Sequence, residues 1–470
     1  MRAALPLALA ASLAACAGGP APEIATPPPD LPESYFYQPN VATAARVDSL
    51  LPIDDAAFLD LAGAALSDGP SLAEALARVD AARAGARRAG AERAPNIGVG
   101  ADVTATRTNP SQFGTNNPFA ALIDTEQVSY AANLSASWDA DLFGRLRAAE
   151  RAALARVDAA NASAAAVRIA LLGEIAASVT DWRTIDARIT AIESDVAAAS
   201  QLAGLARVRE EAGIAPGFDR VRAEAQASAS RSRLAALQSE RARIIGRLVT
   251  LTGQNARAVS AALDQGGPAQ RPHPLPSSLP SELLANRPDV IAAAAELAAT
   301  DAELAAAARA RFPRLTLSGV LGLLAFNPGD LFDEDSIIGS LGAGIAAPLL
   351  DFGRIEAEID GAAANKRVAF QSYRGAVYRA LGETEAAFGL IAAADNEAAL
   401  AIEENDQLER AASLANDRYR AGLASFLEVL EARRAADASG DRAAAARGRA
   451  ERARILLWQA LGGGEYGVTD

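Results

Sequence analysis

Cysteine and histidine, the side chains that most often bind metals or begin nucleophilic reactions, occur once each in this 470-residue chain, as Cys16 and His273. A disulfide within one chain needs two cysteines, and a structural zinc site needs about four Cys or His ligands. His273 stands in Arg271-Pro272-His273-Pro274, a proline-rich stretch that reads as a solvated loop and not as part of a catalytic triad. The run Gly342-Ala343-Gly344-Ile345-Ala346-Ala347 imitates a dinucleotide fingerprint, but Pro348 follows where a phosphate-binding helix would have to begin. Arg287 and Asp289 flank Pro288 at a helix start, and fixing that start suits them better than touching a substrate. The expectation is no catalytic residue, no metal site and no cofactor, and a chain that is not an enzyme.

The remaining chemistry is that of charge and apolar surface. Apolar residues make up 50% of the chain but aromatics only 5%, so Ala, Leu, Val and Ile dominate, a mixture that favours long and closely packed helices. The formal net charge of −13 opposes binding to a phosphate backbone, so nucleic acid is not an expected partner.

The N-terminus gives Cys16 a role. Arg2, an apolar run from Ala3 to Ala11, and Leu13-Ala14-Ala15 read as a secretory signal over residues 1–15, too short to span a bilayer. Leu-Ala-Ala-Cys resembles the bacterial lipobox, after which the cysteine becomes the lipidated first residue of the mature protein. Acyl chains of the palmitate type contribute about 0.8 kcal/mol per buried methylene. Ala17 stands where an Asp would favour retention in the inner membrane, so the resemblance implies an anchor in outer membrane lipid, facing the periplasm. Residues 16–40 then read as a Pro- and Gly-rich tether.

The elements beyond the tether come in two copies. Pro70 and Pro288 lie 218 apart, as do Pro95 and Pro313, whereas Phe143 and Phe352, Gly213 and Gly422, and Gly253 and Gly462 all lie 209 apart. One unit is therefore repeated, with a longer loop between Pro95 and Phe143 in the first copy. The first repeat is placed at 41–281, with a β-hairpin at about 95–142, a helical hairpin at about 148–252 and a linker at 253–281. The second is placed at 282–470, with a β-hairpin at about 313–350 and a helical hairpin at about 355–461. Each repeat opens with a shorter helix, about 71–93 and 288–311. Ile97, Val99, Ala101 and Val103 alternate with Gly98, Gly100, Asp102 and Thr104, and Val128 to Ala140 alternate likewise, as strands with one apolar face do. Strands of ten or more residues can cross a bilayer when tilted. Val167, Leu171, Ile175, Val179, Trp182 and Ile185 recur about every 3.6 residues, the stripe of an amphipathic helix. With no proline from 148 to 212, that helix is roughly 95 Å long at 1.5 Å per residue.

Asn286-Arg287-Pro288-Asp289-Val290 opening a helix, Phe312-Pro313 opening a strand, Leu350-Asp351-Phe352-Gly353-Arg354 closing one, and Tyr419-Arg420-Ala421-Gly422 before a reversal resemble the TolC-type outer membrane factors. The resemblance runs from about Asp54 to Leu461 and is nearest the lipid-anchored efflux subfamily (OprM/NodT-like). It implies an α+β membrane protein: a homotrimer with four strands per protomer in a twelve-stranded outer membrane β-barrel, continued by a periplasmic α-helical barrel of coiled-coil character. An equatorial region at about 41–69, 253–281 and beyond 462 would surround it. Trp138, Phe143 and Phe352 could form an aromatic belt where strand meets periplasm.

The implied function is a passive conduit in a tripartite efflux or export system, working with a periplasmic adaptor (membrane fusion) protein and an inner-membrane pump. Carried over from the shared glycine, the family's periplasmic gate falls on Tyr419, Glu428, Glu431 and Asp219. The helix tips that would meet the adaptor carry Gly213, Pro216, Gly422 and Ser425. Ala424 stands where some relatives have a basic residue. Glu428 and Asp219 each have a second reading, since Ser425-x-x-Glu428 is also a capping box and Asp219 sits in the first turn after Pro216. Two other functions compete: a lipidated periplasmic adaptor, which would have a single helical hairpin, and an enzyme displayed on the outer membrane. If Cys16 is the anchor, Cys16→Ser abolishes acylation; a fatty-acid probe that still labels the variant contradicts the lipoprotein reading.

Overall fold

Alternating apolar and polar residues specify four strands, and their register gathers most of the large apolar ones on one face. In the computed structural model, which describes residues 22–38, 46–109, 126–214, 216–266, 275–276 and 280–464, β1 (Asn96–Arg107), β2 (Glu126–Asp139), β3 (Arg314–Ala325) and β4 (Ile337–Ala346) form one antiparallel sheet in chain order. Val99 faces Leu134, Leu134 faces Leu321 and Leu321 faces Gly339; two residues along, Ile97, Ala136, Gly319 and Leu341 align in the same way. Gly98, Ser135, Val320 and Ser340 line up on the opposite face. Val99 and Leu341 are 87% and 90% exposed, so no layer covers these residues of the apolar face among the described residues. A sheet that turns aliphatic side chains outward in this way is suited to lipid. Cys16, His273 and the loop at 110–125 lie outside the described residues.

Nine helices accompany the sheet among the described residues: α1 (Ala56–Asp68), α2 (Pro70–Ala91), α3 (Arg145–Glu211), α4 (Gly217–Thr252), α5 (Ala256–Leu263), α6 (Leu283–Asn286), α7 (Pro288–Arg309), α8 (Arg354–Arg420) and α9 (Phe426–Ala460). The duplication is visible in their lengths: α2 and α7 have 22 residues each, α3 and α8 have 67 each, and α4 and α9 have 36 and 35. Strand β2 ends at Asp139, before Asp141, because Asp141 turns to φ 41° and caps the next helix. Its carboxylate accepts from the backbone N–H groups of Leu146 and Arg147, both at 2.9 Å. Asp351 does the same for the second copy, accepting from Ile355 at 3.0 Å and Gly353 at 3.2 Å. An aspartate one or two residues before Phe-Gly-Arg is thus the joint between strand and long helix in each copy, and capping orphan N–H groups is what it does.

The chain folds as two units. The first holds the sheet with residues 80–158 and 294–371. Leu304, Ile355, Ile359 and Ala363 pack its small core, and Phe143 stacks on Phe312 at 4.8 Å between ring centroids. Trp138 donates from Nε1 to the Arg93 carbonyl at 2.8 Å, while Phe352 is 91% exposed. The second unit contains residues 28–79, 159–293 and 372–470. Its core is larger, with Phe58, Leu172, Ile175, Leu248, Phe388 and Trp458 fully buried. Part of the segment read as tether is docked here: the Phe36 and Tyr37 N–H groups donate to Glu385, and Tyr35 lies against Phe388.

In this second unit the matched landmarks meet. Gly253, which ends α4 at φ 72°, lies so close to Asp68 and Pro70 that an added Cβ would sit 3.2 Å from the Asp68 carbonyl. Gly462 repeats the contact after α9, where a Cβ would fall 2.5 Å from the Asn286 carbonyl, just before Pro288. Positive φ and close backbone approach are what only glycine tolerates well. In each copy, therefore, a C-terminal helix end abuts the beginning of the shorter helix.

Asp55 ties the equatorial helices to α3. Its Oδ1 accepts from Ala57 N–H at 2.9 Å, capping α1, while the Arg183 guanidinium donates to both carboxylate oxygens at 2.8 and 2.9 Å. The same Arg183 donates to the Leu263 carbonyl at the end of α5. Asp55→Ala removes the cap and leaves Arg183 without its carboxylate, at a cost of about 3 kcal/mol. Asp55→Asn, which retains a capping oxygen, costs less. Amide hydrogen exchange in α1 measures both; protection unchanged by the alanine contradicts the assignment.

Candidate functional site

The two helical reversals have the same backbone solution. Gly213 at φ 71° follows α3, with its N–H on the Glu210 carbonyl and Ile214 N–H on that of Arg209, both at 2.9 Å. Gly422 at φ 75° follows α8, with bonds to Tyr419 at 3.0 Å and from Leu423 to Arg418 at 2.8 Å. Left-handed glycine caps satisfy carbonyls that a helix end would otherwise leave bare. The returning helices start differently. Ser425 caps α9 by accepting from Glu428 N–H at 3.3 Å, whereas Pro216 before α4 has no capping side chain and Asp219 occupies the first turn.

Each sequence-derived site residue can now be placed. Glu428 and Glu431 are exposed at the start of α9, Asp219 is half-buried at the start of α4, and Tyr419 is half-buried in the last turn of α8. The capping interaction uses the backbone N–H of Glu428; its carboxylate makes only a 3.4 Å contact with Ser425 Oγ. Gly213, Pro216, Gly422 and Ser425 lie at the exposed bends. Arg287 and Asp289 are not at the tips. Arg287 is buried, donates to both oxygens of Asp289 at 3.0 and 2.8 Å, and reaches Glu383 and the Ala460 carbonyl, so it locks the α7 start to α8 and α9.

An ionic and aromatic network behind the bends was not read from the sequence. Arg209 on α3 donates to the Tyr419 hydroxyl, its guanidinium lies 5.1 Å from the Tyr419 ring centroid, and Tyr419 meets Phe426 edge to face at 6.0 Å. The interhelical bond to Tyr419 thus comes from Arg209 of the first copy and not from position 424, which is alanine. Arg220 donates to Glu210 at 2.6 Å and to Glu224 at 2.9 Å, and Arg207 donates to Glu224 at 2.9 Å. These hydrogen bonds from Arg207 and Arg220 hold the Glu224 carboxyl below its ordinary range, which favours its charged, paired form. Beneath the network, Ala203, Ala206, Ala223, Phe426 and Leu430 form a separate apolar cluster. The signal that could have exposed it is the 209-residue offset, which aligns Arg209 with Arg418 and Glu210 with Tyr419.

Comparison with known proteins agrees with this architecture. The sequence signature of the outer membrane efflux protein family matches residues 61–254 and 279–463. The chain is 32% identical to the pyoverdine export outer membrane protein OpmQ of Pseudomonas aeruginosa, over 85% of this chain and 84% of that one. It is 30% identical to outer membrane protein OprJ of the same organism, over 97% and 95%. The solved structure of the outer-membrane channel OprN superposes with a TM-score of 0.85 at 28% identity, covering 96% of this chain and 99% of that chain. The chain therefore belongs to the outer membrane efflux protein family and has its TolC-type fold, four strands per protomer of a trimeric β-barrel continued by helices, as the outer membrane channel of an efflux system.

Proposed function

We propose that three copies of this chain close a passive conduit at their periplasmic tips with Tyr419, Glu428, Glu431 and Asp219, and that a periplasmic adaptor opens it by docking on the bends. An inner-membrane pump supplies the energy, and Cys16, outside the described residues, carries the lipid anchor. The observation that carries the gate is the exposure of Glu428 and Glu431 one turn apart at the beginning of α9, with the cap supplied by Ser425 and the Glu428 backbone. Threefold symmetry turns each carboxylate into a ring, and stacked acidic rings draw in cations and repel anions. Ile214, Phe218 and Leu423 are 68%, 64% and 69% exposed beside the bends, which supports docking of an adaptor's apolar helical tips there.

Selectivity separates gate from cap. Glu428→Gln with Glu431→Gln lowers cation selectivity in planar bilayers and leaves the trimer's heat resistance intact. Ser425→Ala does the reverse, costing about 0.5–2 kcal/mol of local helix stability without altering the reversal potential. Wild-type selectivity in the double variant contradicts the acidic gate.

A further inference from the structure

Some four turns behind the bends, a buried acidic pair joins the two helical hairpins. Asp195 on α3 and Asp437 on α9 are 5% and 4% exposed. One guanidinium serves both: Arg433 on α9 donates to Asp195 at 2.9 Å, and its Nε lies 2.8 Å from Asp437 Oδ1 without hydrogen-bond alignment. Neither Asp437 oxygen accepts a hydrogen bond from the described residues. From the other helices packed here, Glu409 on α8 contacts Arg433 at 3.4 Å, and Arg233 on α4 adds a more distant positive charge while bonding Ser230. Two ionised carboxylates cannot bond each other; a proton on one lets it donate to its neighbour.

We propose that Asp195 and Asp437 share a proton that holds the α3–α4 hairpin to the α8–α9 hairpin, so that proton uptake tightens the tips and proton loss loosens them. The proposal rests on the tip-gate reading only for its effect on conduction. Burial, then the Asp195 carboxylate, push Asp437 up to about 7 against the pull of Arg433 and Arg233. For an acid raised by folding, the stabilising contribution is complete below its ordinary range near 4 and is lost as pH climbs through about 7. Above that pH, two buried carboxylates, with Glu409 beside them, share the partly exposed Arg433 and the more distant Arg233, and separating the two hairpins relieves their repulsion.

The test places spin labels on Ala212→Cys and Ala421→Cys, exposed positions beside the two bends, in a Cys16→Ser background. The inter-label distance distribution in the detergent-solubilised full chain is narrow at pH 6 and broadens at pH 8, with a midpoint near 7. Asp437→Asn, which donates a permanent hydrogen bond to Asp195, remains narrow at both pH values. Asp195→Asn, which leaves Asp437 paired with Arg433 alone, also loses the pH step, and it serves if the first variant fails to assemble. A wild-type distribution that does not change with pH, or variants that change as the wild type does, overturns the switch. Bilayer conductance recorded over the same range distinguishes the two readings. Distances that respond without conductance retain the switch and contradict the tip gate; conductance that responds without distances retains the gate and contradicts the switch.

Discussion

Four strands cannot satisfy their own edges. β1 and β4 each pair on one side only, and within a bilayer no water is available for the N–H and C=O groups on the other. The exposed aliphatic face places the sheet in lipid, so those edges must be closed by more strands of the same kind, and identical copies arranged around an axis provide them. Closure by further copies follows from this constraint, and in the outer membrane efflux protein family the number of copies is three. The helices that leave the sheet through the Asp141 and Asp351 caps are carried in triplicate, and residues near their bends become rings if the bends converge.

Internal duplication makes the protomer quasi-symmetric, and the departures from symmetry are informative. Both reversals use a left-handed glycine, and both returning helices end on a glycine pressed against the start of a shorter one. Backbone geometry imposes these positions, so they are held in both copies. Side chains near the bends are under no such demand: Pro216 answers to Ser425 and Arg222 to Glu431 at the common offset. In the second copy Glu428 and Glu431 stand exposed without an arginine partner among the described residues, whereas the first copy's acids Glu210 and Glu224 are held by Arg207 and Arg220, and its Arg209 reaches Tyr419.

Much of this was legible in the sequence because it is written in strict patterns. Alternation marks β1 and β2, a 3.6-residue stripe marks α3, and Pro and Gly mark the joints. The short helices α1 and α5 are not distinguishable within the equatorial region, because thirteen and eight residues between irregular stretches carry little periodic signal. The Arg209–Tyr419 contact and the Asp195–Arg433–Asp437 cluster were not legible for another reason. Each joins residues more than 200 positions apart, and a charged residue on an amphipathic helix looks solvated until its neighbours are known. The motif Leu350-Asp351-Phe352-Gly353-Arg354 was recognised by resemblance, whereas its physical cause, a carboxylate capping a long helix, appears only in the hydrogen bonds.

Barrel closure requires that β1 of one protomer complete its pairing on β4 of the next. Thr104→Cys in β1, combined in turn with single cysteine substitutions along β4 from Ile337 to Ala346 in a Cys16→Ser background, tests it by oxidation of intact membranes and non-reducing electrophoresis. At least one β4 position should yield a covalently closed trimer. A scan that yields only uncrosslinked chains, or crosslinks confined to one chain, would contradict it.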